Sequence, residues 1–209
     1  MKQVLALLVS AACACAGAAE PAAKPDLAKG QGIVTQICAA CHGIDGNSTG
    51  PANPKLAGQI PEYLQKQLTN FKPVQGKKAE RENPVMGGMA AGLSPEDMSS
   101  VAAYYGRQQP KPGAAKNQDT LALGRKIWRA GDAVKGLPAC AACHGATGAG
   151  VPAQYPRLAG QYQEYTEGQL RAFRSGERAN DANKIMRAVA VKMNDLDIRA
   201  VADYAAGMH

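Results

Sequence analysis

The sequence predicts an all-α protein made of two tandem copies of one helical domain. Apolar residues recur at helical spacing in several segments, and no alternating run is long enough for a β-sheet. Residues 54–59 match residues 156–161 at an offset of 102, and Phe71 matches Phe173 at the same offset. The chain has 209 residues, which is enough for two small domains.

Three helices are predicted in each half from apolar spacing and capping residues. Ser94 and Pro95 mark the clearest start, because serine caps a helix and proline suits its first turn. Asn194 takes the capping position in the second half. The predicted helices span 27–37, 61–71 and 95–106 in the first half, and 121–129, 162–175 and 195–206 in the second.

The repeat also sets the expected domain limits. It predicts a first domain at 26–109 and a second at 119–209, joined by an exposed linker at 110–118 that is rich in proline, glycine and alanine. Beyond Phe71 the offset falls to 100, which predicts a two-residue difference in length directly after that residue. The second half also carries extra residues around 130–138.

Residues 1–18 have the pattern of a secretory signal peptide. Lys2 precedes a short apolar run, and small residues at 16–18 offer a cleavage site. We therefore expect export, with the bacterial periplasm as the compartment. An uncleaved anchor stays open as an alternative, although the run is short for a bilayer span. Cys13 and Cys15 suggest a lipoprotein, but the residues before them fit a lipobox poorly.

The pentapeptide Cys-Ala-Ala-Cys-His occurs twice, at 38–42 and at 140–144. This C-x-x-C-H motif is typical of haem c attachment, in which two thiols add to the haem vinyl groups and the histidine binds the iron. Zinc sites and redox dithiols also use C-x-x-C, but zinc does not require a histidine after both pairs. Two covalently attached haem c groups are therefore predicted. Their expected protein ligands are Cys38, Cys41, His42, Cys140, Cys143 and His144.

A methionine is the expected sixth ligand of each iron. Under the 100-residue offset, only Met86 and Met186 are methionine in both halves, so they are the predicted iron ligands, in loops before the third helices. Met89 remains a competitor in the first half because it lies only three residues away. Met98 and Met193 have apolar partners in the other half and are expected to fill the core.

The charge of the chain constrains its partners. A formal net charge of +7 favours docking on acidic proteins or on an anionic membrane face, including a peripheral attachment. Nucleic-acid binding is not expected, because no basic run is interleaved with aromatic residues. No small-molecule substrate is predicted, and the protein is expected to be a monomer.

The duplicated C-x-x-C-H, the repeated P-[KR]-L-A-G-Q at 54–59 and 156–161, and the paired late methionines resemble the cytochrome c4 family. The resemblance implies two class I cytochrome c domains related by a pseudo-two-fold axis, with their haems facing each other. In class I cytochromes c, a proline about twelve residues after the haem histidine accepts a hydrogen bond from its Nδ1. This role would fall to Pro54 and Pro156, and the cations that follow, Lys55 and Arg157, would face either haem propionates or solvent.

The resemblance further implies a periplasmic electron carrier. Its expected donors are a quinol–cytochrome c oxidoreductase or a periplasmic dehydrogenase, and a haem–copper oxidase is the expected acceptor. Two other functions stay open. The chain could be the haem subunit of a flavoprotein sulfide dehydrogenase, or a dihaem peroxidase, which would need one iron with an open sixth position.

Overall fold

The computed structural model describes residues 24–74 and 76–208, and the regular secondary structure in this range is helical. The described residues contain no β-strand, only three isolated bridges. The prediction of an all-α chain with two tandem helical domains is confirmed. The predicted signal peptide at 1–18 lies outside the described residues.

Helices α1 to α5 build the first domain, and a π-helical segment at Val34–Cys38 joins the first two. Their bounds are α1 Leu27–Ile33, α2 Ala39–His42, α3 Pro61–Phe71, α4 Pro84–Ala91 and α5 Pro95–Gly106. Helices α6 to α10 build the second domain, with a 3₁₀ turn at Ala182–Lys184 before α9. These are α6 Gln118–Ala130, α7 Ala141–His144, α8 Gln163–Ser175, α9 Ile185–Ala190 and α10 Asp195–Ala206.

In each domain the N-terminal helix crosses the C-terminal helix at a glycine. A Cβ atom on Gly30 of α1 would collide with the carbonyl oxygen of Ser100 in α5, and one on Gly124 of α6 would collide with that of Ala200 in α10. Because backbone carbonyls cannot move aside as side chains do, only glycine permits these close helix crossings. The two crossings therefore fix the same frame in both domains.

Helices α4 and α9 correct the prediction that Met86 and Met186 lie in loops. Asn83 caps α4 by accepting a hydrogen bond from the N–H of Met86 at 2.9 Å, and Pro84 occupies the first turn. In the second domain Asp181 accepts from the N–H of Arg187 at 3.0 Å. These short helices escape periodicity analysis because they hold too few turns to show an apolar stripe.

The extra residues of the second half form a closed loop between α6 and the second haem motif. Gly30 precedes Cys38 by eight residues whereas Gly124 precedes Cys140 by sixteen, so the insertion is eight residues long. The backbones of Asp132 and Leu137 pair across the loop. The loop lies where the comparison of the two halves predicts extra residues, around 130–138.

The predicted linker is tied to both domains. The N–H of Lys111 donates to Asn47 Oδ1 of the first domain at 2.7 Å, and the N–H of Lys116 donates to the buried carboxylate of Asp203 in the second at 2.7 Å. Helix α6 begins at Gln118, inside the range expected for the linker, because Asn117 caps it. Most linker residues are nonetheless exposed.

The two domains meet through a pseudo-two-fold set of contacts. The side chain of Gln59 binds the backbone of Arg157, and the side chain of Gln161 binds the backbone of Lys55. Because Gln59 matches Gln161 and Lys55 matches Arg157 in the repeat, the two contacts are equivalent under a two-fold rotation. Such reciprocity is the mark of a two-fold relation between equivalent surfaces.

Candidate haem sites

Each haem motif ends in a buried histidine whose ring is fixed by a proline carbonyl. His42 Nδ1 donates to the carbonyl oxygen of Pro54 at 2.9 Å, and His144 Nδ1 donates to that of Pro156 at 3.0 Å. A carbonyl can only accept, so Nδ1 carries the proton and Nε2 keeps a free lone pair for a metal. Both bonds agree with the expectation drawn from the family resemblance.

The histidines are also prepared electronically for ligation. Only 7% of His42 and 6% of His144 is exposed. Burial lowers the pKa of each imidazole, while the bond to the proline carbonyl opposes that shift. The neutral ring is therefore favoured, and the neutral ring is the form that binds iron.

An aromatic side chain anchors the loop after each motif. Tyr105 of α5 donates its hydroxyl to the carbonyl oxygen of Gly43 at 3.1 Å, and Trp128 of α6 donates Nε1 to that of Ala146 at 3.2 Å. Each aromatic is only 1% exposed. In both domains an aromatic side chain therefore holds the loop after the haem motif, but from a different helix. The repeat does not reveal this, because Tyr105 and Trp128 are not matched positions.

The cysteines suit a thioether better than a thiolate. Burial raises the pKa of both Cys38 and Cys140 to about 11, so ionised sulfur is disfavoured at either position. A thioether carries no charge and loses nothing by being buried. Within residues 24–74 and 76–208, no three His, Cys, Asp or Glu side chains gather into a metal-binding cluster. Each motif therefore stands by itself, and its residues fit one covalently attached haem.

The methionines separate into ligand candidates and core residues. Met86 is partly buried and packs against the apolar cluster around Phe71, whereas Met89 is 48% exposed on the same helix. Met186 is also partly buried. Met98 and Met193 are 3% and 4% exposed inside apolar clusters, as expected for core packing.

Lys55 and Arg157 lie at the contact between the domains. Burial lowers the pKa of both side chains. Among the described residues, Arg157 Nε is the one buried side-chain nitrogen or oxygen atom without a hydrogen-bond partner. An unpartnered buried donor is costly, so this atom is suited to a carboxylate such as a haem propionate. The position favours the propionate alternative over solvent for Arg157.

Two arginines at the same contact were missed by the sequence analysis. Arg81 donates to Tyr165 and Gln169 of the second domain, and Arg178 donates to the matching residues of the first, Tyr63 and Gln67. Arg81 lies ten residues after Phe71, but Arg178 lies only five after Phe173. Between the phenylalanine and the arginine, the second domain is thus five residues shorter than the first. After the arginine it is three residues longer. The predicted single two-residue difference is therefore the sum of two changes.

Comparison with known proteins agrees with this geometry. The family model of cytochrome c matches residues 27–105 and 121–208, one copy in each domain. Cytochrome c4 of Azotobacter vinelandii is 43% identical over 190 residues, covering 88% of this chain and 90% of that protein. The crystal structure of reduced recombinant cytochrome c4 from Pseudomonas stutzeri gives a TM-score of 0.82 at 41% identity, covering 88% of this chain and all of that one.

A further relative is named for a role in electron transfer. A protein of Stutzerimonas stutzeri named as a thiosulfate dehydrogenase electron acceptor is 38% identical over 193 residues, covering 87% of each chain.

None of the helices in the described ranges has both the length and the apolar character needed to cross a bilayer. With one cytochrome c domain matched in each half and relatives of this identity over most of its length, the chain belongs to the cytochrome c4 family and carries two covalently attached haem c groups.

Proposed function

We propose that the chain carries single electrons through two haems, each six-coordinate with one histidine and one methionine. His42 and Met86 would ligate the first iron, and His144 and Met186 the second. Cys38 and Cys41 would attach the first haem, and Cys140 and Cys143 the second.

The observation that carries the proposal is the repeated bond from a buried histidine to a proline carbonyl, at 2.9 Å and 3.0 Å. This bond holds the ring and strengthens Nε2 as a donor to a metal. Met86 is favoured over Met89 because it faces the apolar interior, while Met89 is half exposed.

When bound, a haem would supply one-electron exchange between Fe(II) and Fe(III), and a methionine ligand would leave no open position for a substrate. The protein's part is to hold both ligand sets and to exclude water. The buried His42 and the apolar packing at Met86 serve this purpose in the first domain. This arrangement suits an electron carrier rather than a peroxidase, which needs an open or displaceable sixth ligand.

We further propose export to the periplasm, two domains at 26–109 and 119–209, and exchange of electrons with respiratory redox proteins. The donor would be a quinol–cytochrome c oxidoreductase and the acceptor a haem–copper oxidase. The resemblance to the cytochrome c4 family and the basic net charge of +7 support docking on acidic partners.

A second candidate role is the acceptor of electrons from a thiosulfate-oxidising dehydrogenase. The 38% identity to a thiosulfate dehydrogenase electron acceptor over 87% of the chain favours it. This role keeps both His/Met haems and changes only the donor. The flavoprotein sulfide dehydrogenase stays a further alternative, and stable copurification with a flavoprotein would favour it.

The ligand assignment is tested by replacing each methionine with leucine in the holoprotein. Met86→Leu and Met186→Leu should each remove half of the iron–thioether absorption band and lower the potential of one haem. Met89→Leu is the matched control on the same helix and should leave the band intact. If Met89→Leu removes the band and Met86→Leu does not, the assignment in the first domain is wrong.

A further inference from the structure

Gln59 and Gln161 are buried at matching positions of the two repeats, with 7% and 8% of their surface exposed. Gln59 Nε2 donates to the carbonyl oxygen of Arg157 at 2.9 Å, and the N–H of Arg157 donates back to Gln59 Oε1 at 2.8 Å. Gln161 grips Lys55 in the same way, at 2.9 Å and 3.0 Å. Each glutamine thus holds both backbone groups of one residue in the other domain.

The Lys55 N–H that donates to Gln161 belongs to the same peptide group as the carbonyl that orients His42. The N–H of Lys55 and the carbonyl of Pro54 are two ends of one planar peptide unit, and that carbonyl accepts from His42 Nδ1. A continuous hydrogen-bond chain therefore runs from Gln161 Oε1 in the second domain to His42 in the first.

The mirror chain runs the other way. Gln59 Oε1 of the first domain accepts from the N–H of Arg157, which shares its peptide unit with the carbonyl of Pro156. That carbonyl accepts from His144 Nδ1 at 3.0 Å. The two chains are equivalent atom by atom, so each domain contributes one glutamine to the histidine of the other.

Hydrogen bonds in such a chain polarise one another. When Gln161 Oε1 accepts from the Lys55 N–H, the Pro54 carbonyl oxygen becomes more negative and a better acceptor for His42. A stronger bond at Nδ1 makes the imidazole a stronger electron donor at Nε2, and a stronger donor favours Fe(III) over Fe(II) and so lowers the potential.

We propose that Gln59 and Gln161 are crosswise positioning residues, each of which sets the axial histidine of the haem in the opposite domain. Neither side chain touches the iron ligands directly. Its effect passes through one peptide group, and the domain contact is thereby part of each haem's environment. The proposal needs only the histidine ligands and not the identity of the sixth ligand.

The test is potentiometric titration of the Gln59→Met and Gln161→Met holoproteins, together with NMR of the axial histidine protons. Methionine keeps the length of the side chain but can neither accept from the peptide N–H nor donate to the carbonyl. Gln161→Met should raise the potential of the first-domain haem and shift the His42 signals, with a smaller effect on the second haem. Gln59→Met should do the reverse.

Each haem is identified by its NMR contacts with residues of its own domain, so the outcome does not depend on the methionine assignment. Tyr162→Phe is the matched control, because it removes a different interdomain bond, from the hydroxyl to the carbonyl oxygen of Ser48 at 2.5 Å, which is not part of either chain. It should leave both potentials close to those of the parent protein.

If a methionine variant fails to fold, Gln161→Glu tests the same chain with the acceptor retained. The carboxylate accepts more strongly from the Lys55 N–H, so the potential of the first-domain haem should fall by more than that of the second. Unchanged potentials, equal shifts of both haems, or shifts confined to the glutamine's own domain would overturn the proposal.

Discussion

Arg81 and Arg178 are structural equivalents, although they lie 97 residues apart in a chain whose repeat runs at 102 and then 100. The guanidinium of Arg81 stacks on Phe71 at 4.7 Å and that of Arg178 on Phe173 at 4.5 Å. Their backbone N–H groups bind the carbonyls of the matching residues Asn70 and Ala172. Each arginine then reaches across to the other domain.

The first prediction is that Arg81 and Arg178 stabilise the contact between the two domains. Arg178→Gln should lower the thermal unfolding temperature of the holoprotein, because the acceptors at Tyr63, Gln67 and Gln169 lose a charged donor. Arg81 still donates to Gln67 and Gln169, so the Tyr63 hydroxyl is the acceptor that loses its donor, at a cost of about 1–3 kcal/mol. Arg81→Gln should act in the same direction.

Small-angle scattering of the same variants checks whether the domains separate. The exposed Arg125 of α6 provides the control, and Arg125→Gln should change neither the unfolding temperature nor the scattering profile. An arginine variant at the contact that unfolds at the same temperature as the parent protein would show that the arginine pair does not stabilise the domain contact.

The second prediction concerns the glycines at the helix crossings. Gly30→Ala and Gly124→Ala should destabilise the holoprotein by about 1–3 kcal/mol, because the new methyl group meets a backbone carbonyl. Gly32→Ala is a matched control two residues from Gly30, where nothing lies within 4 Å of the added Cβ. It should instead stabilise α1 by about 0.5–1 kcal/mol, as chemical denaturation can measure.

The third prediction concerns the pH dependence of stability from Asp97. Its hydrogen bond to Lys29 and its bond from the Ser94 N–H lower its pKa below the ordinary value of 3.8. A lowered pKa means that the carboxylate stabilises the fold above that value, and that this contribution is lost as the pH falls through the lowered pKa. The Asp97→Asn variant should therefore be less stable than the parent protein at neutral pH. This difference in stability should shrink as the pH falls below 3.8.

Thermal unfolding measured from neutral to acidic pH checks this expectation. Lys29→Gln should reproduce part of the effect, because Lys29 binds Asp97 at 2.6 Å and is the first cause of its shift. A deficit for Asp97→Asn that stays constant across the whole pH range would contradict the assignment.

The fourth prediction concerns folding without haem. Each matched domain spans fewer than 90 residues, and domains of this size bury a modest apolar core. Replacing both cysteines of one motif, Cys140→Ala with Cys143→Ala, should lower the helical content of the second domain. Circular dichroism against the parent protein measures the loss. A fully helical variant with one haem would show that the protein core suffices without the second haem.

The sequence was sufficient for the parts of the structure that repeat in register. The haem motifs and the α3 and α8 helices follow from matched spacing, and the role of the prolines that bind the haem histidines follows from the family resemblance. It was insufficient where equivalent contacts are made by residues out of register. Tyr105 and Trp128 anchor the same loop from different helices, and the two arginines sit at different distances from their aromatic partners.

Gln59 and Gln161 fall between these cases. Both stand in the repeated P-[KR]-L-A-G-Q motif, so their position was visible, but their role was not. A glutamine that binds across a domain contact has no local spacing that distinguishes it from an exposed one. Helices α4 and α9 were missed for another reason: both are too short to show an apolar stripe, and α9 begins without a side-chain cap.

A redox titration of the purified holoprotein, followed by absorption spectroscopy, tests the central claim most directly. Two one-electron transitions are predicted, with both irons low-spin and six-coordinate in either state and the iron–thioether band present for each oxidised haem. A high-spin five-coordinate iron, or rapid turnover of peroxide by the same preparation, would contradict an electron carrier with two His/Met haems.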